Sequence, residues 1–272
     1  MSGKSPDELS FWEHLDEVRK ILFRLVGVWL ILAIGFFIAM PYLFDHVILA
    51  PCNDDFITYD GLKWLAAHLH LDDGFFTQEF HVKLININLA APFFIHISTS
   101  LWLAVVISVP FLLSQIWVFI SPALYEYEKQ GIRKALFLGT GMFFIGVAVG
   151  YFVIFPLTLR FLTTYDLSVA ITNEISLNSY IDNFMMLILS MGIAFELPLV
   201  TWLLSLMGIV NRTFLRKYRR HALIIIVAVA AIITPTGDPF TLTAVSIPLY
   251  LLYELSILMV KKQETEEVVA EK

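Results

Sequence analysis

The sequence predicts an all-α integral membrane protein of six transmembrane helices, with both termini in the cytoplasm. Three observations carry that prediction. Of its 272 residues, 58% are hydrophobic and only 15% charged, against about 25% charged in a soluble domain; mean hydropathy is +0.76. Apolar runs recur at 25–40, 93–119, 135–157 and 184–207, with shorter ones at 223–233 and 240–253. Finally, 15 of the 18 Lys and Arg residues fall on one side of those runs, leaving Lys63, Lys83 and Arg160 on the other. An excess of that kind marks cytoplasmic loops.

Residues 1–24 read as a cytoplasmic amphipathic segment. Ser5 with Glu8 forms a capping-box pattern and Pro6 suits a first helical position. Leu9, Trp12, Leu15, Val18 and Leu22 recur at helical spacing, with Glu13, Asp16, Glu17 and Lys20 opposite. The start carries no cleavable signal pattern, so the first span is expected to direct insertion. The membrane domain runs over 25–260. Its first extracytoplasmic segment, 41–92, is expected to fold as a cap, because structureless loops of that length are uncommon. His68-x-His70 with Asp72 and Asp73 is not supported by a second ligand pair at metal spacing, so no metal is predicted. Cys52 is the single cysteine, which excludes an internal disulfide.

The second span contains Pro110 and is expected to kink. The first cytoplasmic loop is assigned to 120–134. In the third span Gly146-x-x-x-Gly150 would let a neighbouring helix approach closely. The last two runs cover only about 16–21 Å of a core about 30 Å thick, so short fifth and sixth helices are expected, joined by the hairpin Thr234-Pro-Thr-Gly-Asp-Pro239. Residues 261–272 form a charged tail. No nucleotide, dinucleotide or nucleic-acid motif is present, and no cofactor is implied.

Three acids stand out. Glu17 and Glu128 lie on the basic, cytoplasmic side, and Glu196 lies inside the fourth run, two residues before Pro198. An acid at the centre of a span costs about 2.5–3.5 kcal/mol on insertion scales, so Glu196 faces either a polar cavity or a conducting path. Glu17 and Glu128 could simply pair with neighbouring Lys and Arg, worth about 0–1 kcal/mol each. Alternatively they bind a basic ligand, since guanidinium groups dock on carboxylates bidentately.

FWEHLDEVRKIL at the start, Pro51 in LAP, PFF at 92–94, QIWVFISPALYEYEK at 115–129, GYFVIFPL at 150–157, FELPL at 195–199, ITPTGDPF at 233–240 and IPLYLLYE at 247–254 together resemble the TatC family, the receptor subunit of the twin-arginine protein translocase. The resemblance implies a glove-shaped six-helix bundle with a concave groove. It implies that Glu17, Arg19, Phe119, Pro122, Tyr125 and Glu128 bind the signal peptide. Glu196 would line the groove, while Pro51 and Asp238 would shape the extracytoplasmic cap and the last hairpin. It further implies twin-arginine signal peptides of folded cargo, TatA/TatB-type single-span subunits, other TatC copies and the bacterial inner membrane as partners and setting. Export would be driven by the proton-motive force, without enzymatic chemistry. Three positions depart from the family pattern: Val18 replaces a leucine, Thr236-Gly237 lengthens the hairpin, and Leu242 stands where a glutamine is common. The competing reading is a secondary transporter or channel using Glu196 as an ion or proton site, but the two halves of the chain share no repeat. An intramembrane hydrolase would need a catalytic pair or metal motif at span depth, and the runs contain none.

Overall fold

The computed structural model describes residues 11–69, 82–121, 126–165, 168 and 174–260. Ser5, Pro6, Glu8 and Leu9 lie outside the described residues, as do His70, Asp72, Asp73 and the 261–272 tail. The helices are α1 (Phe11–Leu43), α2 (Ile57–Leu69), α3 (Ala91–Ile120), α4 (Glu126–Val149), α5 (Phe155–Thr164), α6 (Leu177–Ala194), α7 (Leu197–Leu206), α8 (Arg212–Lys217), α9 (Arg219–Ile233) and α10 (Pro239–Met259). Among the described residues, five stretches are long and apolar enough to cross a bilayer: one opening at Leu15 on α1, then Ala91–Phe119, Arg133–Thr164, Leu177–Leu206 and Pro239–Met259. The chain divides into two compact units, Met1–His46 with Asn88–Thr140, and Val47–Ile87 with Gly141–Lys272.

In the first unit α1 packs along α3. No breaker separates residues 11–24 from the first span, and both belong to one helix. The pair is antiparallel: the Trp29 indole donates to the carbonyl of Leu101 at 3.2 Å, and His96 Nε2 donates to that of Phe37 at 2.8 Å. The second bond has a local cause. Pro41 sits inside α1 four residues after Phe37 and has no N–H to give it. In a bilayer such a carbonyl must find a partner within the protein, and His96, stacked on the Phe37 ring at 4.1 Å, supplies one. Pro110 lies inside α3 without ending it.

Carbonyls of the second unit that lie in irregular backbone find partners in the same way. A π-helical turn, Phe44–Ile48, follows α1, and the carbonyls of Val47 and Ile48 accept the hydroxyls of Tyr151 and Tyr180. A second π turn, Gly150–Ile154, joins α4 to α5. There the Phe152 carbonyl, four residues before Pro156, accepts the Thr58 hydroxyl from α2. Strands β1 (Leu84–Ile85) and β2 (Ile175–Ser176) pair in parallel, Leu84 opposite Ile175. Lys83 and Glu174 close the end of that ladder at 2.9 Å. Among its described residues the 41–92 segment thus carries a π turn, a 3-10 turn (Ala50–Cys52), α2 and β1.

The Gly146-x-x-x-Gly150 expectation is met. A Cβ at Gly146 would lie 2.5 Å from the Met191 carbonyl oxygen and 2.8 Å from Phe195 Cβ, and one at Gly150 would lie 3.0 Å from Ile188 Cα. The contact is reciprocal, because the Phe143 ring fills the notch left by Gly192. α9, at 15 residues, is short as expected, about 22 Å at 1.5 Å per residue. The last helix is not short. α10 runs 21 residues to Met259, because Glu254 does not end it but pairs with Arg219 at 2.6 Å. At its end, Ile257 of α10 and Val260 just after it pack on Leu215 in a small core.

Candidate functional site

Among the described side chains of α1, half-buried and buried positions fall at Glu17, Ile21, Leu25, Val28, Trp29, Leu32, Ala33, Phe36, Met40 and Leu43. That is the stripe carrying the Trp29 bond to α3. Glu17 therefore occupies the α3-facing side of its helix, whereas Leu15, Val18 and Leu22 are exposed. Among the described residues Glu17 forms no ion pair. Arg19 is exposed, with its guanidinium 5.6 Å from the Phe23 ring centroid one turn on.

The antiparallel pairing brings the start of α1 and the end of α3 to the same end of the unit. Phe119 is exposed on the last turn of α3. Glu128 lies on the first turn of α4, eight residues after Ile120. Pro122 and Tyr125 lie outside the described residues. Glu17, Arg19, Phe119 and Glu128 thus share one unit, while Pro51, Glu196 and Asp238 belong to the other.

One residue at that end escapes sequence reasoning. Gln115, four residues before Phe119, is 8% exposed, and its Oε1 is buried without a hydrogen-bond partner. The available signal was an amide within an otherwise apolar run.

Glu196 marks a break. α6 stops at Ala194 and α7 starts at Leu197 with Pro198 in its first turn, where the missing N–H costs nothing. Phe195 and Glu196 donate back to Met191 and Ile193, both at 3.0 Å, and Val200 donates to the Glu196 carbonyl at 2.9 Å. Pro198 thus opens a helix rather than breaking one. The carboxylate sits at the positive end of α7, which offsets about 0.3–1 kcal/mol of an insertion cost of about 2.5–3.5 kcal/mol. The dipole is too small to account for the acid. Glu196 is half-buried, and its Oε1 is buried with no partner.

Pro51 is buried in a 3-10 turn (Ala50–Cys52), and its carbonyl accepts the Tyr59 hydroxyl at 2.8 Å. Asp238 caps α10: its Oδ1 accepts the Thr241 N–H at 2.7 Å, and its Oδ2 the Thr236 hydroxyl at 2.6 Å. Gly237, at φ +59°, makes the turn that delivers it. Partial burial pushes the Asp238 pKa up, but the hydrogen bonds from Thr236 and Thr241 outweigh it and hold the carboxyl below its ordinary range.

The family model for the Sec-independent protein translocase protein (TatC) matches residues 13–248, a stretch containing every candidate residue above. The chain belongs to the TatC family. TatC of Blattabacterium sp. subsp. Periplaneta americana is 34% identical over 252 residues, 92% of this chain and 94% of that one. TatC of Helicobacter pylori strain 26695 is 34% identical over 91% of this chain and 86% of its own. A crystal structure of the twin-arginine translocase receptor TatC in DDM superposes with a TM-score of 0.71 at 31% identity, covering 92% of this chain and all of that one. As a TatC-family protein the chain is a membrane component of Sec-independent protein transport, and the likeness read from the eight motifs holds along nearly its whole length.

Proposed function

We propose that this chain is the receptor subunit that binds twin-arginine signal peptides at the end of the α1–α3 pair, with Glu17 and Glu128 each engaging one arginine. The observation carrying this reading is the placement of Glu17. A half-buried acid on the α3-facing stripe of α1, without an ion pair among the described residues, leaves its carboxylate available to a guanidinium group. Arg19, Phe119, Pro122 and Tyr125 complete the surface, with Phe119 offering an exposed apolar face to the hydrophobic stretch that follows the arginines.

Six spans with both termini cytoplasmic, in the bacterial inner membrane, fit the segregation of Lys and Arg. TatA/TatB-type subunits and further TatC copies assemble on it, and folded cargo crosses at the expense of the proton-motive force. In this reading Glu196 lines a groove as a polar group and moves no ion.

The test is peptide binding to the purified protein. Arg-Arg and Lys-Lys signal peptides should separate sharply, and Glu128→Lys should abolish binding. Unchanged affinity in both Glu17→Ala and Glu128→Ala would sink the assignment. The transporter alternative draws on the unpartnered Oε1 of Glu196. It takes the lead if Glu196→Gln stops transport while folding and peptide binding stay intact.

A further inference from the structure

Helix α2 carries an apolar face that no described residue covers. Ile57 is 68% and Trp64 63% exposed, and Gly61, Ala67 and His68 are exposed beside them. With 3.6 residues per turn, positions 57, 61, 64 and 68 share one side of the helix. Tyr59, on the opposite side, is buried and bonded to the Pro51 carbonyl. The outward face is also organised. The His68 ring lies against Trp64 at 4.2 Å, and its Nδ1–H donates to the Trp64 carbonyl at 3.2 Å.

The attachment of α2 sets its level relative to a bilayer. The Thr58 hydroxyl bonds to the Phe152 carbonyl, and Phe56 stacks on the Phe152 ring at 5.9 Å. Phe152 is the twentieth residue of the apolar stretch Arg133–Thr164. Twenty helical residues rise about 30 Å, the thickness of the hydrocarbon core. α2 is therefore fastened at the boundary between acyl chains and headgroups, at the end of the stretch away from Arg133 and Lys134. Phe152 and Val153 are themselves exposed, so the apolar surface of the span continues onto α2. Tryptophan is enriched at that depth, and the Lys63–Asp54 ion pair borders the face.

We propose that α2 is an interfacial helix whose Ile57–Trp64 face rests in the headgroup–acyl boundary of that leaflet, with phospholipid as its occupant. The cap is then part of the membrane surface, and Trp64 anchors it there as in amphipathic interfacial helices.

The experiment uses the full chain in nanodiscs of phosphatidylcholine, with or without lipid brominated at the 6,7 or 11,12 acyl positions. The Trp64 signal is the difference between wild type and Trp64→Phe. It should be blue-shifted, quenched at least twofold by the 6,7 lipid, quenched less by the 11,12 lipid, and insensitive to aqueous acrylamide. Quenching by acrylamide without quenching by bromolipid overturns the proposal. So does shielding from both, which would mean a second copy covers the face. A nitroxide at Ile57→Cys in a Cys52→Ala background gives an independent reading. Oxygen should reach it more readily than a water-soluble nickel chelate, and the reverse order overturns the proposal even where Trp64→Phe fails to fold.

Discussion

Replacing Gly146 by alanine tests whether α4 and α6 owe their close approach to a missing side chain. The new Cβ would sit 2.5 Å from a backbone oxygen and 2.8 Å from Phe195. Met191 lies in the last turn of α6 and Phe195 caps that helix, so the helices must separate by several tenths of an ångström. Overpacking of that kind costs about 1–3 kcal/mol. Alanine returns about 1 kcal/mol through helix propensity, which leaves a net loss of up to about 2 kcal/mol. Gly141, on the same helix, is the control: an added Cβ there meets nothing within 4 Å, so Gly141→Ala should gain the propensity term alone. The two identical substitutions should therefore shift stability in opposite directions. The assay is the midpoint of heat inactivation, read as the monodisperse fraction surviving gel filtration in mild detergent. Equal midpoints for the two variants would refute the packing argument. Because Phe195 adjoins Glu196, Gly146→Ala should also lower transport more than its stability loss alone accounts for.

Asp238→Ala should remove the cap of α10 at a cost of about 1 kcal/mol, while Asp238→Asn should keep most of it. Since the folded carboxyl is held below its ordinary pKa, its contribution is full above the unfolded value of about 3.9 and disappears as pH falls through the folded value. The acid limb of a thermal-stability profile should flatten in Asp238→Asn, and an unchanged limb would contradict the assignment. His96→Phe keeps the stack on Phe37 but leaves that carbonyl unpaired; a loss of about 0.5–2 kcal/mol in thermal stability is expected. His96→Gln should recover part of it, and equal stability of all three proteins would refute the role. Glu196→Gln should retain most export activity in cells, because an amide satisfies a polar groove as well as an acid does.

The spans were legible because apolar length is a one-dimensional signal, and the close approach at Gly146 because its spacing is. The helix opening at Leu197 was not. Pro198 beside an acid reads as an interruption, and only the stop at Ala194 turns it into a first-turn proline. The last helix was underestimated because Glu254 reads as a boundary until Arg219, 35 residues earlier, is seen to neutralise it. At the start of α1, charge pattern picked out Glu17, but its side of the helix depended on α3. Amphipathic spacing set Leu15, Val18 and Leu22 on the apolar face of the helix, and all three are exposed. Gln115 was passed over because one amide in an apolar run carries no spacing signal. Its burial depends on long-range packing.

The hydrogen bond from His96 to the Phe37 carbonyl joins residues 59 apart in sequence. During synthesis α1 enters the bilayer with that carbonyl uncovered, and its cover arrives only when α3 does. The Phe152 carbonyl reverses the order: Thr58, made 94 residues earlier, waits for the helix it will serve. Membrane insertion of this chain is consequently not a succession of finished helices. α1 and α3 complete one another as a pair, so a ribosome stalled between them would release an unfinished first helix for quality control to find.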